Sequence, residues 1–90
     1  MADETVKHEI TFQIEESIGV LQEERRGWRK EFNLVSWNGK PAKYDIRAWS
    51  ADHQKMDRGV TLTAGELTAL KKLLIEMKIP ESEEETEYAI

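Results

Sequence analysis

The chain has 90 residues and a net charge of −5. Its length predicts one domain with a modest core, and dimerisation is a common way for so short a chain to bury more apolar surface. It contains no cysteine, which excludes disulfide frameworks, thiolate zinc sites and cysteine nucleophiles. No apolar run reaches the length of a membrane helix, and the N-terminus lacks the features of a signal peptide. We therefore expect a cytoplasmic protein, with association with the nucleoid as an alternative.

The negative charge is unevenly distributed along the chain. Residues 1–24 carry one Lys against seven Asp and Glu, residues 25–62 carry nine Lys and Arg against four acids, and residues 63–90 carry three Lys against seven Glu. Phosphates respond to charges within about 10 Å at physiological salt. The basic middle segment is therefore compatible with a nucleic-acid partner, although a merely solvated surface is an equally good interpretation of charge alone.

The first half of the chain is predicted to contain two β-strands, each followed by a turn. Residues 1–9 are expected to form a flexible N-terminus, and period-two alternation predicts a strand from Phe12 to Leu21. Arg26-Gly27 indicates a turn, and a second strand is predicted from Trp28 to Trp37. Asn38-Gly39 is a strong hairpin signal because both residues tolerate the positive φ of a tight turn.

Two further strands follow. Alternation predicts the third strand from Tyr44 to Trp49 and a short fourth strand from Gly59 to Leu62, joined by a polar loop from Ser50 to Asp57. Thr63 and Glu66 have the spacing of a capping box and predict the start of a helix.

The helix carries one apolar stripe that is expected to pack on the sheet. Pro80 is expected to end the helix, and residues 80–90 are expected to form an acidic disordered tail. The stripe consists of Leu67, Leu70, Leu73, Leu74 and Met77.

The order of the elements predicts an α+β fold in a single domain spanning residues 10–79. It is a four-stranded antiparallel β-meander followed by one C-terminal helix packed on one face. Ile75 and Ile79 lie one helical step apart and away from the main stripe, which favours a dimer interface. The alternative is that both are isolated exposed residues near a frayed helix end.

The side of the sheet opposite the helix carries the candidate binding residues. Strand alternation directs these side chains away from the apolar face, so the uncovered face is expected to combine tryptophans with cations. The candidates are Arg29, Asn33 and Trp37 on the second strand, Lys43, Arg47 and Trp49 on the third strand, and Lys40 and Arg58 nearby.

Exposed aromatic rings beside cations suit single-stranded nucleic acid. Bases stack on such rings, while Lys and Arg contact the phosphates. The alternative is that Trp37 and Trp49 belong to the core or to a dimer interface.

Other residue types offer no catalytic constellation. His8 and His53 are lone histidines that we interpret as surface residues, and Asp45 beside Arg47 is most simply an ion pair or an orienting group. We therefore predict a binding protein and not an enzyme, with no cofactor, no metal and no small-molecule substrate.

Several motifs together resemble a known family. YDIRAW, the later run RGVTLTAGELTALKKLL, the FQI of the first strand and the WNGK hairpin occur in the order found in the positive cofactor four transcriptional coactivators. The resemblance covers roughly residues 10–78, and KEFNLVSWNGKPAKYDIRAW looks closest to the bacterial YdbC-type members.

The resemblance implies a homodimer that binds single-stranded DNA through juxtaposed sheets with little sequence preference. Arg47 matches a DNA-contacting arginine of the family, Trp37 takes the place of a base-stacking aromatic, and Lys40 and Arg58 match basic positions. Trp49 lies one position before the family's second stacking aromatic. RNA binding, or a protein-interaction adaptor that uses the same face, are the alternatives.

Overall fold

A computed structural model describes residues 10–80 and contains a four-stranded sheet followed by one α-helix. The predictions for residues 1–9 and 81–90 lie outside the described residues. The elements are β1 (Phe12–Glu23), a 3-10 turn (Arg25–Gly27), β2 (Arg29–Trp37), β3 (Lys43–Trp49), β4 (Met56–Leu62) and α1 (Ala64–Glu76).

The sheet is antiparallel with the strands in chain order, so the predicted meander and fold class are confirmed. The β2–β3 hairpin turns at Asn38 and Gly39, both with positive φ, and the Lys40 N–H donates to the Trp37 carbonyl at 2.9 Å. The Asn38 side-chain oxygen accepts from the Thr11 N–H at 3.0 Å, which ties the hairpin to the start of β1.

The first and fourth strands are longer than predicted. β1 continues to Glu23 and contains three register shifts against β2, and β4 begins at Met56 within the predicted loop. Such shifts bend a strand and increase its twist. The simple alternation expected for β1 is therefore interrupted.

The sheet curls toward one face, which we call the Trp face: Arg29, Glu31, Asn33, Val35 and Trp37 of β2 and Lys43, Asp45, Arg47 and Trp49 of β3. Trp49 pairs with Arg29 at one end of β2, whereas Trp37 ends the strand. Arg29 and Trp37 are eight residues apart, so their Cα atoms would lie about 26 Å from each other in a straight strand. The two indole rings nevertheless stack with centroids 6.3 Å apart, so the ends of the strands bend toward each other.

This curvature closes the Trp face from within the protomer. Val35 and Trp49 are 0 % exposed, and Phe12 of β1 packs on Trp49 with a ring separation of 4.9 Å. The prediction of an uncovered face is therefore wrong for its central part. The alternative interpretation of Trp49 as a core residue is correct.

The helix begins as predicted but ends earlier. The Thr63 hydroxyl accepts from the Glu66 N–H at 3.0 Å, and the Glu66 carboxylate accepts from the Thr63 N–H at 2.9 Å, which completes the capping box. The last helical residue is Glu76, and Met77 is already extended. The helical step predicted to join Ile75 to Ile79 is therefore not formed.

The helix covers little of the sheet. It lies against β3 and β4, and only Leu67 and Leu70 of its apolar stripe are partly buried. Leu73, Leu74 and Met77, which were expected to pack on the sheet, are exposed. Within residues 10–80, no helix is long and apolar enough to cross a membrane.

Candidate nucleic-acid interface

An aromatic cluster occupies the concave Trp face. Trp37 and Trp49 stack with an angle of 13° between their planes, Phe12 packs against both rings, and His53 lies 5.6 Å from Trp49. The indole nitrogens of Trp37 and Trp49 are buried and have no hydrogen-bond acceptor within the described part of the chain. Two N–H donors on this face are therefore unused.

A buried ion pair lies beside the aromatic cluster. Asp45 is 0 % exposed, and its two carboxylate oxygens accept from Nε and Nη2 of Arg47, each at 2.8 Å. The Thr61 hydroxyl donates a further hydrogen bond to Asp45 at 3.2 Å. This two-point geometry is the strong form of a carboxylate–guanidinium contact, and it confirms the predicted Asp45–Arg47 pair.

The Nη1 atom of Arg47 is also engaged. Its Nη1 donates to the Asp57 carbonyl at 3.2 Å and to the Met56 sulfur at 3.6 Å. The guanidinium carbon lies 4.7 Å from the centre of the Trp37 ring, within the range of a cation–π contact. The Arg47 side chain is only 14 % exposed, so it acts mainly inside the protein and fixes the position of Trp37.

Gly59 makes room for this arginine. It pairs with Arg47 across β3 and β4, and a Cβ atom at position 59 would overlap the Arg47 Cβ and the Ile46 carbonyl. A glycine within a strand often marks such a close approach.

Trp37 and Arg47 border an open groove of about 320 Å³. Met56 and Thr61 line the same groove, and Asn38 of the hairpin lies at its edge. Lys40 and Lys43 are exposed on the hairpin and at the start of β3. The half-buried Trp37 thus lies between an apolar core and a basic hairpin.

A second polar network lies at the other end of the Trp face. Glu31 is 4 % exposed and accepts hydrogen bonds from Asn33 Nδ2 at 3.0 Å and from His53 Nε2, which is 3.0 Å from both carboxylate oxygens. Arg29 lies 3.2 Å from the same carboxylate. Because a carboxylate only accepts, Nε2 of His53 carries a proton in this arrangement.

This network controls the protonation of Glu31. Burial alone would raise the pKa of Glu31, but hydrogen bonds from Asn33 and His53, with the charges of His53 and Arg29, outweigh burial and lower the pKa below its ordinary value of 4.5. Glu31 therefore remains a carboxylate at neutral pH and holds the β3–β4 loop against β2.

The eight predicted binding residues separate into three groups. Two of them, Asn33 (1 % exposed) and Trp49 (0 % exposed), are enclosed in the protomer, so the prediction that they are exposed is wrong. The reason is that the curvature of the sheet brings the strand ends and His53 over them. Lys40, Lys43 and Trp37 remain at the hairpin. The other three are less suited to binding at the hairpin groove. Arg47 forms an ion pair with Asp45, and Arg29 forms one with Glu31. Arg58 lines a different groove, together with Lys30, Ile46 and Val60.

Sequence reasoning missed the contacts of Glu31, His53, Met56 and Thr61. The sequence predicts His53 to be a surface residue, yet it joins Glu31 across 22 positions in the chain. The sequence does contain a signal for this burial. In β2 and β3, apolar residues occur among the side chains that point to either face of the sheet, a pattern typical of strands buried on both faces. Among the described residues, no group of three or more His, Asp or Glu could hold a metal ion.

Comparison with known proteins identifies the family. Residues 25–73 match the family described as Transcriptional Coactivator p15 (PC4). The chain belongs to this family. A protein of Treponema pallidum (strain Nichols) of uncharacterised function is 45 % identical over 74 residues, which are 82 % of this chain and 87 % of that protein.

The family match confirms the positive cofactor four resemblance and contains most of the site. It includes the β2–β3 hairpin, the Asp45–Arg47 pair and all of β4. The narrower resemblance to bacterial YdbC-type members stays a prediction.

The Asp45–Arg47 pair leads to a prediction about stability. Arg47→Ala should lower the free energy of unfolding by about 3–5 kcal/mol, because it leaves a buried carboxylate without its cation. Asp45→Ala combined with Arg47→Ala should recover part of this loss. Urea denaturation of both single variants and the double variant measures the coupling energy.

Arg29 provides the matched control, because it also pairs with a carboxylate but is itself 38 % exposed in its side chain. Arg29→Ala should cost at most about 1 kcal/mol. Equal losses for Arg29→Ala and Arg47→Ala would contradict a special role for the buried pair.

The Glu31 network leads to a prediction about pH. A carboxylate with a lowered folded-state pKa stabilises the protein above its unfolded pKa near 4.5, and the contribution is lost as the pH falls through the folded-state pKa. Glu31→Gln should lower the free energy of unfolding at pH 7 by about 1–3 kcal/mol and flatten its decline below pH 4.5. Urea denaturation between pH 3 and pH 7 measures both effects; parallel pH profiles for wild type and variant would contradict the assignment.

Proposed function

We propose that the protein binds single-stranded DNA with little sequence preference, as a cytoplasmic homodimer that acts in transcription, replication or repair. The observation that carries the proposal is the family match to residues 25–73, which contain Trp37, Arg47 and most of the groove beside them. Aromatic stacking combined with phosphate contacts is the usual way to bind single strands without reading their sequence.

The hairpin side of the groove supplies the proposed contacts. Trp37 is half-buried, and its exposed part stacks on a base while the exposed Lys40 and Lys43 contact phosphates. Arg47 holds the Trp37 ring in place and presents its small exposed part to the strand. Trp49 supports this surface because its buried ring stacks on Trp37, and Asn33 acts indirectly through its hydrogen bond to Glu31.

The two indole N–H groups without an acceptor favour contact between this surface and a polar ligand. The buried N–H groups of Trp37 and Trp49 have no acceptor among the described residues, and such groups are costly to leave unpaired. A carbonyl of a base that approaches Trp37 in the groove would bring an acceptor to this surface.

The exposed apolar side chains support a homodimer. Ile75 is 73 % exposed and Ile79 is 59 % exposed, and Leu73, Leu74 and Met77 are exposed in the same segment. Contiguous apolar surface of this kind is typical of an interaction site. A second copy of the chain would cover this segment of α1 and the residues that follow it.

The stacking role is tested by substitution of Trp37. Trp37→Ala should weaken binding to an oligothymidine of 20 nucleotides by about 1–3 kcal/mol, because a stacking surface is removed. Fluorescence anisotropy measures the affinity, with the matching duplex as competitor, and circular dichroism monitors folding. Trp37→Phe serves as the control, because it keeps a ring on Phe12 and Trp49 and should retain most of the affinity.

Salt dependence separates this function from a protein-interaction role. Binding that involves phosphates should weaken steeply as salt rises, and Lys40→Ala should make the slope of log affinity against log salt shallower by about 0.7. Trp37→Ala should leave the slope unchanged. Wild-type affinity in a folded Trp37→Ala variant would refute the stacking role.

The homodimer is tested on the exposed segment of α1. Ile75→Glu should convert the dimer to a monomer, because it places a charge in the apolar interface. Sedimentation velocity at several protein concentrations measures the change. Lys72→Glu is the control, because Lys72 lies with Thr68 and Glu76 on the polar side of α1; dimers of unchanged stability in Ile75→Glu would contradict the proposed interface.

A further inference from the structure

The connection between β1 and β2 forms a rigid basic turn. The Glu24 N–H donates to the Trp28 carbonyl at 2.7 Å, and the Trp28 N–H donates to the Arg25 carbonyl at 3.0 Å. Arg26 and Gly27 have positive φ, and a Cβ atom at position 27 would lie 3.0 Å from the Ala51 side chain. The turn therefore packs against the β3–β4 loop, and its hydrogen bonds hold the backbone of the two arginines in place.

Two grooves adjoin this turn. One, of about 460 Å³, is lined by Arg25, Arg26 and the half-buried Trp28. The other, of about 440 Å³, is lined by Lys30 and Arg58. Both grooves share Glu24 and Asp57 in their linings, so they form one continuous basic groove.

The charge of this basic groove is not neutralised within the described residues. Five cations and two carboxylates line the groove, and one of the cations, Arg47, already pairs with Asp45. The ion pairs of residues 10–80 include none of the other four, which are Arg25, Arg26, Lys30 and Arg58. The arginines of the Trp face are different, because Arg29 and Arg47 already pair with carboxylates. The basic groove therefore has positive charge available for a polyanion, and Trp28 provides an aromatic surface beside it.

The basic groove lies apart from most of the groove at the hairpin, and the two share only Arg47 in their linings. It adjoins the start of β2, whereas Trp37 and Lys40 lie at the end of β2 and in the hairpin turn. Lys30 and Arg58 line it on the sheet face of Ile46 and Val60, opposite the Trp face. A strand bound at the hairpin must therefore extend beyond its first contacts to reach it.

We propose that the basic groove is a second contact site for the same single-stranded nucleic acid, in which Arg25, Arg26, Lys30 and Arg58 bind phosphates and Trp28 packs against a base or sugar. This inference rests on the proposed function. It extends that function by predicting that affinity depends on strand length. The hydrogen-bonded turn favours such binding because its backbone needs no further ordering when the strand binds.

The test compares two strand lengths. Oligothymidines of 5 and 20 nucleotides are titrated against wild type and against the double variant Arg25→Ala, Lys30→Ala; at stacked spacing the shorter strand spans only about 17 Å. The double variant should bind the longer strand about tenfold more weakly and the shorter strand within about twofold of wild type. The salt slope for the longer strand should become shallower by about 1.4, because each phosphate that the variant no longer neutralises reduces the slope by about 0.7.

A control variant accounts for the change in net charge. Lys71→Ala with Lys72→Ala removes the same charge from α1 and should leave both affinities within about twofold of wild type. Unchanged binding of the longer strand by Arg25→Ala, Lys30→Ala would overturn the proposal. An equal loss for both lengths would also overturn it, because the basic groove would then belong to the first contact site.

The Trp37→Ala variant distinguishes this inference from the proposed function. It should weaken binding of both strand lengths, because the hairpin contacts each of them. Wild-type protein that binds neither length would refute the proposed function and this inference together. Loss with Trp37→Ala but not with Arg25→Ala, Lys30→Ala would refute only the second site.

Discussion

The buried pair between Asp45 and Arg47 is the contact on which the Trp face depends. A carboxylate with no exposure needs its cation close by, and the two parallel hydrogen bonds of 2.8 Å provide it. The same guanidinium lies over Trp37 and bonds to the backbone of β4. Gly59 leaves the space for this arrangement. One ion pair thus fixes the register of β3 and β4 and the position of the candidate stacking ring.

Curvature of the sheet determines which residues are available to a ligand. The bend buries Trp49 and Asn33 and leaves Trp37 at the rim, beside the basic hairpin. A flat sheet with the same sequence would expose both tryptophans. The residues that favour nucleic-acid binding are therefore fewer than alternation suggests, but those that remain are held more rigidly.

The two faces of the sheet differ in how completely one protomer covers them. The Trp face is closed within one protomer by its aromatic cluster and by two neutralised carboxylates, Glu31 and Asp45. The other face and the helix leave apolar side chains such as Leu73 and Ile75 exposed. The protomer alone therefore leaves apolar surface in contact with water, which is the condition that a second copy would relieve.

The sequence by itself determined the order of the strands, the Asn38-Gly39 turn, the capping box at Thr63 and the family, because these depend on a few neighbouring residues or on motifs in a fixed order. It also predicted the Asp45–Arg47 pair, whose partners are two residues apart on one strand. Only the tertiary structure decided which face is closed and that His53 bonds to Glu31. These features depend on bends in β1 and on contacts between distant segments, which local patterns do not specify.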